Sequence, residues 1–210
     1  LGMFGSSYQE RLDDFIDRVT ISIEQLTILI RIDAFRFTKK QKCELLWQAI
    51  FKLNNQQAKT NQPKMFKTKH KHFNIPKLDS NWLENAYDEM ELLGFPLVNY
   101  FGLVNEPIKS KLKAKDMKNN INQPVLVYGL LVNTRYHKTS QGKLMRFSTF
   151  TDLDGEYFDA VHFTKVVDKY PIYGLGVYAC YGKVTEEFDF YSLDIIWSKK
   201  LTLKPDPRAN

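Results

Sequence analysis

The sequence predicts an α+β protein: an N-terminal helical module followed by a five-stranded β-barrel. Two observations carry this. Within residues 7–50, apolar side chains recur at helical spacing in three short blocks. Residues 124–197 form a dense run of alternating, β-branched and aromatic segments separated by turn signals. Between them lie a lysine-rich linker, one further amphipathic helix and a second basic connector.

In the first module, residues 1–50, the first helix carries Leu12, Phe15, Ile16 and Val19 on one face. Ser22 and Gln25 form a capping box for the second, which turns Leu26, Leu29 and Ile30 inward. Thr38 and Gln41 repeat the device before a third helix with Leu45, Leu46 and Ile50. Connections of a few residues predict helices folded back on one another. Residues 51–80 lose the periodicity and are dominated by Asn, Gln and Lys, so they read as a flexible linker holding one isolated apolar pair, Met65-Phe66. Residues 81–118 hold a helix over 81–93 and then the basic connector KSKLKAKDMK. Asn81 and Glu84 sit at that helix's start, Trp82, Ala86, Met90 and Leu93 line one side, and Gly94 ends it. The apolar stretch FPLVNYFGL that follows is expected to pack against a neighbour.

The barrel domain is placed at 119–200, with a tail at 201–210. Its strands are expected over 125–137, 144–151, 157–163, 176–184 and 189–197. The loop HKTSQGK joins the first two, Asp154-Gly155 turns a hairpin, and a short helix with Val166 and Val167 follows the third. In the second strand Met145, Phe147 and Thr149 share one face and Arg146, Ser148 and Phe150 the other. Five strands with a helix after the third is the pattern of an OB-fold, a small barrel often used to hold single-stranded nucleic acid.

Length and composition narrow the class. A chain of 210 residues, 43% apolar, can bury one or two domain cores. No apolar run is long enough to span a bilayer, and the N-terminus has no secretory leader pattern, so a cytoplasmic protein without membrane partners is expected. The first residue is Leu, which suggests a piece of a longer protein. Cys43 and Cys180 fall in different elements and read as small buried apolar residues, not a disulfide.

The net charge of +6 is unevenly spread. Residues 51–80 carry 7 basic and 1 acidic side chain, and 109–118 carry 5 and 1, whereas 119–210 carry 11 and 10. The basic excess therefore lies in the connectors, which track phosphates or serve as solvated linkers, and the barrel is nearly neutral.

Catalytic chemistry has no foothold in the pattern: there is no glycine loop for phosphate and no Ser–His–Asp signal. Asp152-Leu153-Asp154-Gly155 lacks the downstream ligands of a calcium loop, and His70 and His72 lack local metal-ligating partners. No catalytic residue, metal or cofactor is assigned. Single-strand binding by a barrel needs stacking aromatics and cations. The candidates on the usual face are Tyr136, Arg146, Phe158 and His162, with Arg135, His137, Lys138 and Lys143 around the first loop. Glu186, Glu187 and Asp189 between strands four and five oppose phosphate, so weak binding is expected.

Three segments in order carry a resemblance. LDDFIDRV followed by LTILIRIDAF resembles the helix-hairpin-helix region of bacterial DNA polymerase III alpha subunits, the family C replicative polymerases. DEMELLGFPL at 88–97 is similar to the acidic-acidic-Leu-Gly-Phe helix end of that family, and GLLVNTRYHKTSQGKLMRFSTFTDLDG to the start of its OB domain. The resemblance implies the C-terminal part of such a subunit, beyond the magnesium-holding palm. The parent would be a DNA-directed DNA polymerase, a nucleotidyltransferase of DNA replication, and this piece would be inactive alone. Gln62-Pro63-Lys64-Met65-Phe66 looks like the family's clamp-binding peptide, with Gln62, Met65 and Phe66 as its contacts. The implied partners are the sliding clamp, single-stranded or primer-template DNA and the remainder of the subunit. The chain departs from the family at Asp33-Ala34-Phe35, where Gly-Ala-Phe is usual, and the Asp33 charge opposes a phosphate there. Two other readings stay open: a barrel that binds protein and no DNA, and an OB-type RNA-binding appendage.

Overall fold

The computed structural model describes residues 12–57, 81–110 and 112–209. The chain divides into two compact units, residues 1–97 with 206–210, and residues 98–205.

Among the described residues the first unit holds four α-helices: α1 (Leu12–Arg18), α2 (Ile23–Arg31), α3 (Lys42–Gln57) and α4 (Trp82–Leu93). The α2 capping box forms as predicted: the Ser22 hydroxyl accepts from Gln25 N, and the Gln25 side chain accepts from Ser22 N. Leu12, Ile16, Leu26, Ile30, Phe35, Leu45 and Ala49 make the core. Three expectations are corrected. Val19 lies past the end of α1 and is exposed. Ile50 is also exposed, because Ala49 takes the inward position one residue earlier. Thr38 does not cap α3, since Arg36–Thr38 is a 3-10 turn in which its hydroxyl donates to the Phe35 carbonyl, and α3 begins only at Lys42.

Helix α4 belongs to this unit. Asn81 caps it by accepting from Leu83 N, and Gly94 ends it at φ 84°, a left-handed conformation that costs glycine little. Trp82 is half exposed, whereas Glu89 is buried; the Glu89 carboxylate accepts from Leu97 N at 2.8 Å and lies 3.6 Å from Lys42 Nζ. Arg31 bridges Asp88 and Glu91 at 2.7 Å each, and Arg208 joins the same two acids. Within the segment assigned to the tail, Asp206 and Arg208 pack with the helical unit, and Leu201 is buried in the barrel unit.

The second unit is a closed barrel of five strands: β1 (Pro124–Lys138), β2 (Leu144–Thr151), β3 (Tyr157–His162), β4 (Val177–Glu187) and β5 (Phe190–Lys200). A short helix, α5 (Thr164–Val167), follows β3. The strands close in the order β1-β2-β3-β5-β4, with β3 and β5 parallel and the other pairs antiparallel. This is compatible with the OB-like barrel expected from sequence. Closure rests on the length of β1, which pairs with β4 over Pro124–Leu130 and with β2 over Leu130–Lys138. Val127, Phe150, Phe158, Ala160, Tyr178, Cys180 and Leu193 fill the interior. Gly182 admits no side chain, because a Cβ there would overlap the Asp194 carbonyl of β5. Both cysteines are free thiols.

The Asp152 carboxylate is buried and accepts from the backbone N–H groups of Ala114, Asp154 and Glu156. It organises the β2–β3 turn and anchors the preceding 3-10 segment, Ala114–Asn119. Among the described residues no helix is long and apolar enough to cross a membrane.

Candidate nucleic-acid interface

The β1–β2 hairpin reaches the edge of the barrel wall and continues two residue pairs past it as a two-stranded ribbon. Its register pairs Arg135 with Phe147, Tyr136 with Arg146, His137 with Met145 and Lys138 with Leu144. The turn is held by Thr139 N donating to the Lys143 carbonyl, by Lys143 N donating to the Thr139 hydroxyl, and by Gly142 at φ 75°. Arg135, Tyr136, His137, Lys138 and Lys143 are all exposed on this ribbon. Alternation puts Arg135 and His137 on one face and Tyr136 and Lys138 on the other. Five of the eight DNA-binding candidates therefore gather on one hairpin.

The other three are corrected. Phe158 is buried and stacks on Phe150 in the core, with ring centroids 5.4 Å apart. Arg146 and His162 are also buried, facing each other across β2 and β3. The inward set of β2 proves to be Arg146, Ser148 and Phe150. Arg146 Nη1 donates to the Ile172 carbonyl at 2.9 Å, and its guanidinium lies 4.1 Å from the centre of the Tyr136 ring, which covers it. His162 Nε2 lies 3.3 Å from the Ser198 hydroxyl. Arg146 Nε and His162 Nδ1 meet no hydrogen-bond partner. Burial, and secondly the Arg146 charge, push the His162 pKa down to about 4. Burial likewise lowers that of Arg146. Being buried, these groups are closed to a base or a phosphate.

A second exposed feature escaped the sequence reading. At the far end of the barrel, β3 and β5 pair only at Asp159–Ser192, Ala160–Leu193 and Val161–Asp194. Ahead of these pairs they splay, and a groove of about 440 Å³ opens between them, with Phe158 and Met117 at its base. Tyr157 and Phe190 stand at its sides, 68% and 65% exposed. The available signal was FDF at 188–190, one aromatic in a hairpin turn where polar residues are usual and a second just after it.

Gln62, Met65 and Phe66, and likewise His70 and His72, lie outside the described residues. Asp33 sits at φ 61°, a left-handed conformation that glycine adopts more readily. No set of three or more metal-ligating side chains clusters among the described residues.

No family model matches the chain, and no curated protein does. Among solved structures, the protein PriB from Ralstonia solanacearum is similar to part of it, at 13% identity over 37% of this chain and 95% of that one. The TM-score is 0.30, a level at which the likeness bears on neither fold nor function.

Proposed function

We propose that the barrel is an OB domain that binds single-stranded template DNA weakly through the β1–β2 ribbon. On this reading the chain is a non-catalytic C-terminal piece of a bacterial DNA polymerase III alpha subunit, with a helix-hairpin-helix remnant ahead of the barrel. The observation that carries the binding role is the gathering of Arg135, Tyr136, His137, Lys138 and Lys143 on one exposed hairpin. Cations there meet phosphates, and the half-exposed Tyr136 ring offers a face for one base. The polymerase parentage rests on the three sequence segments and their order.

Fluorescence anisotropy with a labelled oligonucleotide tests the ribbon. The intact chain should bind at micromolar or weaker affinity near physiological salt, ~10⁻⁴–10⁻⁶ M. Replacing Arg135, Lys138 and Lys143 by Ala should flatten the logarithmic salt dependence by about 2, since each single-strand phosphate contact contributes ~0.7. An unchanged slope removes the assignment, and absence of binding even at low salt favours a protein-binding barrel. Preference for RNA in a competition would favour the RNA-binding alternative.

Tethering is the second part of the proposal. Met65 and Phe66 would fill an apolar pocket on the sliding clamp while the Gln62 amide fixes register. Such a tether raises the effective concentration of a weak DNA contact. Met65→Ala with Phe66→Ala should abolish clamp binding in a titration, and equal affinity would refute the tether.

A further inference from the structure

The groove between the splayed starts of β3 and β5 differs in chemistry from the ribbon. Its aromatic walls are Tyr157 and Phe190, and Phe188, next in sequence to the lining residue Asp189, stands fully exposed at the tip of the β4–β5 hairpin outside the lining. Phe188 and Asp189 hold φ 53° and 62°, as a two-residue turn of the I′ kind requires. Asn and Gly adopt that conformation readily, whereas a bulky Phe does so at a cost. The chain thus spends backbone strain at a position where the side chain packs on nothing of its own.

The surrounding charge selects an occupant. Glu156, Asp159 and Asp189 border the groove, and Glu186 and Glu187 lie on the adjoining hairpin. The one cation among the lining residues, Lys115, lies 3.9 Å from Asp154. Such a border repels phosphate and attracts Lys and Arg. The splayed ends of β3 and β5 run along the groove, so a chain in extended conformation fits it lengthwise.

We infer that this groove binds an extended basic peptide segment of a partner protein. Apolar side chains of the peptide seat against Tyr157, Phe188 and Phe190, and its Lys or Arg side chains pair with Glu156, Asp159 and Asp189. Exposed aromatic anchors ringed by complementary charge are where binding energy concentrates in such interfaces. The inference stands apart from the DNA reading, because it uses none of the ribbon residues.

The test uses the whole chain and short fluorescein-labelled peptides of alternating Lys and Leu, alternating Glu and Leu, and Lys alone. The Lys–Leu peptide should bind at least about tenfold more tightly than the other two. Phe190→Ser, and separately Phe188→Asn with Asp189→Gly, should each weaken it about tenfold. The second variant suits the turn better than the natural residues, so lost binding with an unchanged or raised melting temperature separates docking from folding. Glu156→Gln, Asp159→Asn and Asp189→Asn together should weaken binding and flatten its salt dependence, while the Ala variant of Arg135, Lys138 and Lys143 should leave it unchanged. The inference is overturned if the Glu–Leu or all-Lys peptide binds equally well, or if the Phe variants retain full affinity. It is also overturned if Phe190→Ser weakens oligonucleotide binding as much as peptide binding, because the groove would then be a nucleic-acid face.

Discussion

Arg146 and His162 occupy positions at which a barrel strand would ordinarily place Val or Ile. Burying a guanidinium is costly, and this one is met by the Ile172 carbonyl and the Tyr136 ring. His162 stays neutral beside it, which gives the protein a defined acid sensitivity. In the unfolded chain the imidazole titrates near 6.5, in the folded chain at about 4. Above pH 6.5 both states are neutral there and the residue contributes no pH dependence. As pH falls from 6.5 towards 4, the unfolded state takes up a proton that the folded state refuses, so stability drops. The full loss at this one site is about 3 kcal/mol. Urea unfolding at pH 7 and pH 4.5 should show the drop, and His162→Gln should remove most of it. Equal pH dependence in the variant would mean that the histidine is protonated inside the barrel.

At the scale of elements, the two long hairpins of the barrel are built to different rules. The β1–β2 turn uses Gly142 at its left-handed position and so meets its geometry with little strain. The β4–β5 turn sets Phe188 and Asp189 there instead. Placing Asn and Gly at those two positions should therefore stabilise the barrel by about 1–2 kcal/mol, the cost of holding a non-glycine residue left-handed. Chemical denaturation measures this directly, and a destabilised variant would show that Phe188 has a packing role. In the helical unit the Ser22–Gln25 box was legible because both partners lie within one turn of the chain. The Thr38–Gln41 pair has the same pattern and does not form, because the Asp33 turn leads into a 3-10 segment that takes up the Thr38 hydroxyl. A local motif specifies a cap only where the backbone on either side agrees.

Across the whole molecule, charge is separated more sharply than the net value suggests. The barrel unit sets the exposed cations Arg135, Lys138 and Lys143 on the β1–β2 ribbon and an acidic, aromatic groove between β3 and the β4–β5 hairpin. A near-neutral sum over residues 119–210 therefore conceals two surfaces of opposite character. Each would weaken with salt, but one through loss of phosphate attraction and the other through loss of Lys or Arg attraction. If both proposals hold, a nucleic acid and a basic peptide should bind the whole chain without competing, which a displacement titration measures.

The sequence by itself located four helices, the five strands and the helix after the third, because side-chain periodicity and turn residues are local signals. It ended the third helix too early: α3 runs to Gln57, into the stretch read as a linker from residue 51, because its largely polar last two turns show no apolar period. The sequence also put Arg135, His137, Lys138 and Lys143 around the first loop, where they are exposed, since a charged loop between two strands faces solvent, whereas Tyr136, expected on the barrel face, stands exposed on the same hairpin. Only the tertiary structure decided the phase of β2. Both of its faces are mixed, one with Arg146 and Ser148 beside Phe150, the other with Thr149 beside Phe147, so alternation alone could not say which face turns inward. Barrel closure made that choice by setting β2 against β1 and β3. It buried Arg146, Phe158 and His162, and it opened the groove at Tyr157 and Phe190, whose residues lie far apart in the chain and meet only because β3 runs parallel to β5.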